Sequence, residues 1–177
     1  MSRLYDEIVS QRGSFERLVA KLPGFKGYHE KNARRTADDM LRDHIAAQIS
    51  QRVDEFERVE KLILNNVGMS YMTRTRDVKG KIRTFHDKVK TATPGYSGMW
   101  AQMKIGPDEL DEIYAFDEAM LRYVDQLDVV IASLKEAALT KEGIDAAIVA
   151  VDDVMSEAIQ AYALRDDVLT RFSADTL

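Results

Sequence analysis

Between Pro107 and Glu136 the apolar residues Leu110, Ile113, Met120, Val124, Leu127, Ile131 and Leu134 recur in steps of three and four, and Asp117 fills the one vacant seam position. That spacing is the heptad seam of a helix in an antiparallel bundle. Such a helix is not stable alone in water. The rest of the chain must therefore supply its partners, and it does so in the same rhythm.

Residues 3–22 place Leu4, Ile8, Phe15, Leu18, Val19 and Leu22 at helical spacing around a Gly13-Ser14 interruption, where Ser14 is suited to cap a second piece. This reads as an N-terminal helical arm over 1–24, ended by Pro23-Gly24. A long helix is expected from about His29 to Asn65, with the seam Ala37, Leu41, Ile45, Ile49, Arg52, Phe56, Val59 and Ile63. Asn65-Asn66-Val67-Gly68 reads as its stop, with an unbroken helix as the alternative. Beyond it Tyr71, Thr75, Val78, Ile82, Phe85 and Val89 form a thinner seam. Pro107 suits a first helical turn, and Asp108, Glu109, Asp111 and Glu112 crowd that turn, where the helix dipole favours negative charge. After a break at Thr140-Lys141-Glu142-Gly143 a last helix is expected from Ile144 to Phe172, on Ile144, Ile148, Val151, Met155, Ile159, Tyr162, Leu169 and Phe172.

The predicted fold is all-α: one domain over 1–177, an antiparallel bundle of four long helices with the N-terminal arm. Residues 91–107 form a connector rich in aromatic and apolar side chains, among them Tyr96, Met99, Trp100 and Met103. It reads either as a plug over one bundle end or as an exposed partner patch.

Charge is strongly segregated. Residues 1–105 hold 20 Lys+Arg against 13 Asp+Glu, while residues 106–177 hold 5 against 17, giving +7 and −12. Either basic and acidic helices pack side by side, or the molecule presents a bipolar surface that steers an anionic partner or stacks copies. The most basic stretch carries Arg74, Arg76, Lys79, Lys81, Arg83, Lys88 and Lys90. It is a candidate site for an anionic surface, a peripheral acidic membrane or nucleic acid.

Reactive constellations are scarce. The chain has no Cys, which excludes disulfides, thiolate metal sites and cysteine nucleophiles. The residues three before His29, His44 and His86 are Lys26, Leu41 and Arg83, so the Glu-x-x-His pairs of a di-iron bundle are missing. Phosphate-binding glycine loops are missing too. Gly95-Tyr96-Ser97-Gly98 is one residue short of a nucleophile elbow and follows no strand. No catalytic residue, cofactor or metal is therefore expected. Arg52 and Asp117 stand out as charges in apolar seams. They read as a buried polar layer that fixes register: either the two pair across the bundle, or Asp117 accepts from Tyr114, Tyr123 or Trp100. The alternative makes Asp117 an acid in a pocket.

From about Lys26 to Lys135 the chain resembles a family of uncharacterised bacterial all-helical proteins. The resemblance rests on Gly24-Phe25-Lys26-Gly27-Tyr28, Arg83-Thr84, Gly95-Tyr96-Ser97-Gly98 and Tyr114-Ala115-Phe116-Asp117. It implies an accessory of bacterial membrane or envelope-stress systems, linked to membrane scaffolds of the band-7/SPFH type, and carries over no catalytic residue. The N-terminus lacks an apolar signal run and no stretch is apolar enough to span a membrane, so a cytoplasmic place is expected. The expected function is that of a non-enzymatic interaction or scaffold protein, with self-association or a protein partner. Its alternatives are an anionic-surface binder acting through 74–90 and an enzyme with a polar core around Asp117.

Overall fold

The computed structural model describes residues 2–11, 15–24, 33–91 and 107–174, and all regular structure among them is helical. The helices are α1 (Arg3–Ser10), α2 (Phe15–Ala20), α3 (Ala33–Val67), α4 (Met72–Thr91), α5 (Pro107–Thr140) and α6 (Ile144–Ala174), with a 3-10 turn at Met69–Tyr71. The fold is all-α, as the seams require. The connector residues Tyr96, Met99, Trp100 and Met103, the His29 helix start and the Ser14 cap lie outside the described residues.

Helix ends follow local chemistry. The Ser2 hydroxyl accepts the Tyr5 N–H at 3.2 Å and caps α1. At the far end of α3 the chain stops at Gly68, two residues past Asn66. Gly68 adopts φ +96°, and its N–H points back to the Ile63 and Leu64 carbonyls. Only glycine takes that backbone cheaply. α5 runs to Thr140 and turns through Lys141 and Gly143, both at positive φ.

Two compact units result. The first comprises Met1–Ile45, Thr91–Leu121 and Gln160–Leu177; the second comprises Ala46–Lys90 and Arg122–Ile159. α3, α5 and α6 each contribute to both.

In the second unit polar contacts join α3 to α4, α4 to α6, α6 to α5 and α5 to α3, closing a ring of four helices. Glu60 meets Thr75 and Lys79, and Glu57 meets Arg83, so α3 and α4 run antiparallel. Tyr123 donates to Glu157 at 2.9 Å, so α5 and α6 also run antiparallel through the turn at 141–143. Arg74 meets Asp145 and Lys81 meets Asp152, which makes α4 and α6 parallel neighbours. Arg52 meets Asp128 and Asn66 meets the Ala138 carbonyl, so α3 and α5 are parallel as well. Phe56, Ile63, Ile82, Phe85, Leu127, Ile131, Leu134, Ile148, Val151 and Met155 fill the core.

In the first unit α5 is the centre. Every residue from Ile113 to Leu121 is buried, including Asp117 and Glu118. A helix covered on all sides needs neighbours all round. The arm is one of them, burying Ile8, Leu18, Val19 and Leu22. The other buried apolar residues of this unit include Leu41 and Ile45 from α3 and Ala161, Val168 and Leu169 from α6.

Candidate functional site

The basic stretch occupies α4. Its buried stripe is Thr75, Val78, Ile82, Phe85 and Val89, so helical geometry places cations on both flanks of that stripe. Lys79 and Arg83, four residues apart, turn to α3 and reach Glu60 (2.5 Å) and Glu57 (2.6 Å). Arg74 and Lys81, seven apart, turn to α6. Arg74 pairs with Asp145, and Lys81 lies 2.6 Å from Asp152 and 3.0 Å from the Ser156 hydroxyl. Arg76, Lys88 and Lys90 are exposed. Four of the seven cations thus face carboxylates of neighbouring helices, which weakens the claim of this helix on an outside anion.

The same chemistry accounts for much of the charge segregation. Arg17–Glu118, Arg52–Asp128, Arg74–Asp145 and Lys81–Asp152 each join a cation of the basic first part to a carboxylate of the acidic second part. The adjacent helices complement one another.

Between α4 and α6 lies an open groove of about 220 Å³ lined by Arg74, Asp77, Val78, Ile148, Val149 and Asp152. Its floor is aliphatic. Arg74 and Asp152 on its rim are already held by partners. Among the described residues no cluster of three or more His, Asp or Glu has the placement to hold a metal ion.

Arg52 and Asp117 do not make a common layer. Arg52 is half-buried in the second unit, its Nε 3.0 Å from Asp128 Oδ1, although the N–H direction misses that oxygen. Its long side chain leaves the seam for the rim, where a carboxylate and water share the charge. Asp117 lies in the first unit, and Arg165 Nε donates to its Oδ1 at 2.8 Å. The two side chains are 8% and 5% exposed, so the pair is desolvated. Of the donors expected for Asp117, Tyr123 bonds Glu157 instead, and Trp100 lies outside the described residues.

The first unit holds more polar groups. Tyr162, also buried, has its hydroxyl pushed up to about 12, chiefly by burial and next by the Asp166 carboxylate. Arg42 pairs with Asp39 and is among the charges felt at Tyr162. Glu118 takes Arg17 at 3.2 Å. On α1, the Tyr5 hydroxyl donates to Glu112, and the Arg171 guanidinium lies over the Tyr5 ring at 5.5 Å and 3.3 Å from Glu112. The Tyr5 ring also meets Phe116, with centroids 6.0 Å apart. Burial and the bond to Glu112 raise the pKa of Tyr5.

Sequence reasoning passed over Arg165, Tyr162, Tyr5, Glu112 and Arg171 as a group. One signal was present: the α6 seam skips from Tyr162 to Leu169, and Arg165 sits in that gap.

Among models of known protein families, curated proteins and solved structures, nothing matches this chain. Among the described residues no helix is long and apolar enough to cross a membrane.

Proposed function

We propose that the protein is a non-enzymatic helical interaction protein, holding a protein partner or a second copy of itself. On the sequence resemblance, its setting is an accessory role in a bacterial membrane or envelope-stress system. The observation that carries the reading is a contrast in the second unit. Its interhelix charges are largely occupied with one another, while Met69 (78% exposed), Val129 (64%) and Leu139 (52%) stand in water. A partner that covered these side chains would gain by taking their apolar surface out of water.

The test is affinity purification from the native host with the wild type and with M69S/V129S/L139S. A partner captured by the first and lost by the second, with helicity unchanged by circular dichroism, supports the reading. An identical set of captured proteins overturns it.

The anionic-surface reading has less support, because Arg74, Lys79, Lys81 and Arg83 already have carboxylates. It predicts salt-sensitive cosedimentation with acidic liposomes, lost on neutralising Lys79, Lys81 and Arg83. The enzymatic reading has its acid, Asp117, engaged by Arg165. It predicts turnover that Asp117→Asn abolishes.

A further inference from the structure

We infer that the α1–α2 arm is an exchangeable clip, and that its seat on α5 and α6 accepts the arm of a second copy of this chain. The inference rests on the interaction reading and names one partner for it.

The arm is built to hold by a few specific contacts rather than by its own stability. α1 has eight residues and α2 has six. Helices that short are unstable unless docked. Their polar contacts go to residues far along the chain: Tyr5 to Glu112 and Arg171, Arg17 to Glu118. The seat is on α5, whose buried Phe116 meets the Tyr5 ring and whose Glu118 is only 10% exposed beside the Arg17 partner. Glu112 and Glu118 thus present two carboxylates to an arm that supplies a phenol hydroxyl and a guanidinium.

The exit from the arm is a natural hinge. Pro23-Gly24 follows α2, and Gly24 sits at φ +82° with open space where a Cβ would be. Glycine changes such a backbone conformation at low cost. Eight residues, 25–32, separate the arm from α3 in the sequence. An arm from another copy offers the same side chains to the same seat, so exchange conserves the contacts of Tyr5 and Arg17 described above.

Charge reversal tests this with full-length chains. Arg17→Glu and Glu118→Arg each set like charges in the seat, whichever copy supplies the arm. Coexpressed, the two variants regain both pairs only by trading arms. The expected product is a 1:1 heterodimer with twice the 20.1 kDa chain mass by light scattering. The R17E/E118R double variant, which restores the pair within one chain, controls for folding. If the double variant folds while the coexpressed singles stay monomeric, or fail to fold together, exchange is overturned. That failure leaves the interaction reading standing, because capture through Met69, Val129 and Leu139 is read separately.

Discussion

α5 passes through two environments. In the first unit nine successive residues, Ile113 to Leu121, are buried and two of them are acids. In the second unit its buried residues are Tyr123, Val124, Leu127, Ile131, Leu134, Ala137 and Ala138, a one-sided stripe, and its acids Asp125, Asp128 and Glu136 face water. The ion pairs of α5 differ accordingly. Arg165–Asp117 is enclosed, whereas Asp128, paired with Arg52, is half in solvent. A charge placed inside is costly to strip of its partner, while a charge at the rim falls back on water. One helix therefore carries side chains of the same chemical type with very different energetic weight.

The largest expected effect breaks the comparison at its strongest point. Asp117→Ala leaves the Arg165 guanidinium buried without its carboxylate and should cost about 3–5 kcal/mol in urea unfolding. Replacing both partners with apolar residues of similar size, as in D117L/R165M, should recover most of that loss, because no lone charge remains. A cost below about 1 kcal/mol for Asp117→Ala would place this pair in the same class as the rim pairs.

Tyr162 sharpens the same point through pH. Its ordinary pKa is 10.0 and its folded value is about 12, raised first by burial and then by Asp166. The folded chain thus keeps a proton that the unfolded chain releases. Stability is unaffected by this group well below pH 10 and falls as pH rises through 10 and towards 12, by a few kcal/mol. Unfolding free energies measured from pH 9 to 12 should show that decline. Tyr162→Phe should remove the part of the slope that belongs to this residue.

Gly68 tests the second unit by backbone rather than charge. Its φ of +96° lies where a side chain is strained, although space for a Cβ is open. Gly68→Ala should cost about 1–3 kcal/mol and lower the thermal midpoint without altering the α4 ion pairs. A neutral result would mean that the α3–α4 turn relaxes to another conformation.

Periodicity carried most of the fold. The seam residues Leu41, Ile45, Ile49, Phe56, Val59 and Ile63 are all buried, and Gly68 ends the helix near the stop that the Asn-Asn-Val-Gly run signals. The interior of the first unit was less legible. A seam assigns one face to the core and says nothing of Phe116 and Glu118, which lie off that face. They are buried because the arm and other helices also cover α5, which is a tertiary fact. The partner of Asp117 was hidden for a related reason. Arg165 is distant in sequence, and its place in the gap of the α6 seam between Tyr162 and Leu169 signals burial but not which carboxylate it meets. Arg52 shows the converse, a seam position whose long side chain escapes to the rim. The parallel pairing of α4 with α6 had no local signal either, since it is a matter of how the helices pack.

The smallest expected effect completes the contrast. Lys81→Ala removes the contact to Asp152, whose side chain is about one-third exposed, as is that of Lys81. Water and salt already screen such a pair, so the loss should be about 0.2–1 kcal/mol. Lys79→Ala should cost somewhat more, because Lys79 and Glu60 are each under 20% exposed and Thr75 also turns to Glu60. Raising the salt concentration should shrink the Lys81 effect first and leave the Asp117 effect nearly intact. Equal salt sensitivity at both positions would show that burial does not separate the enclosed pair from the rim pair.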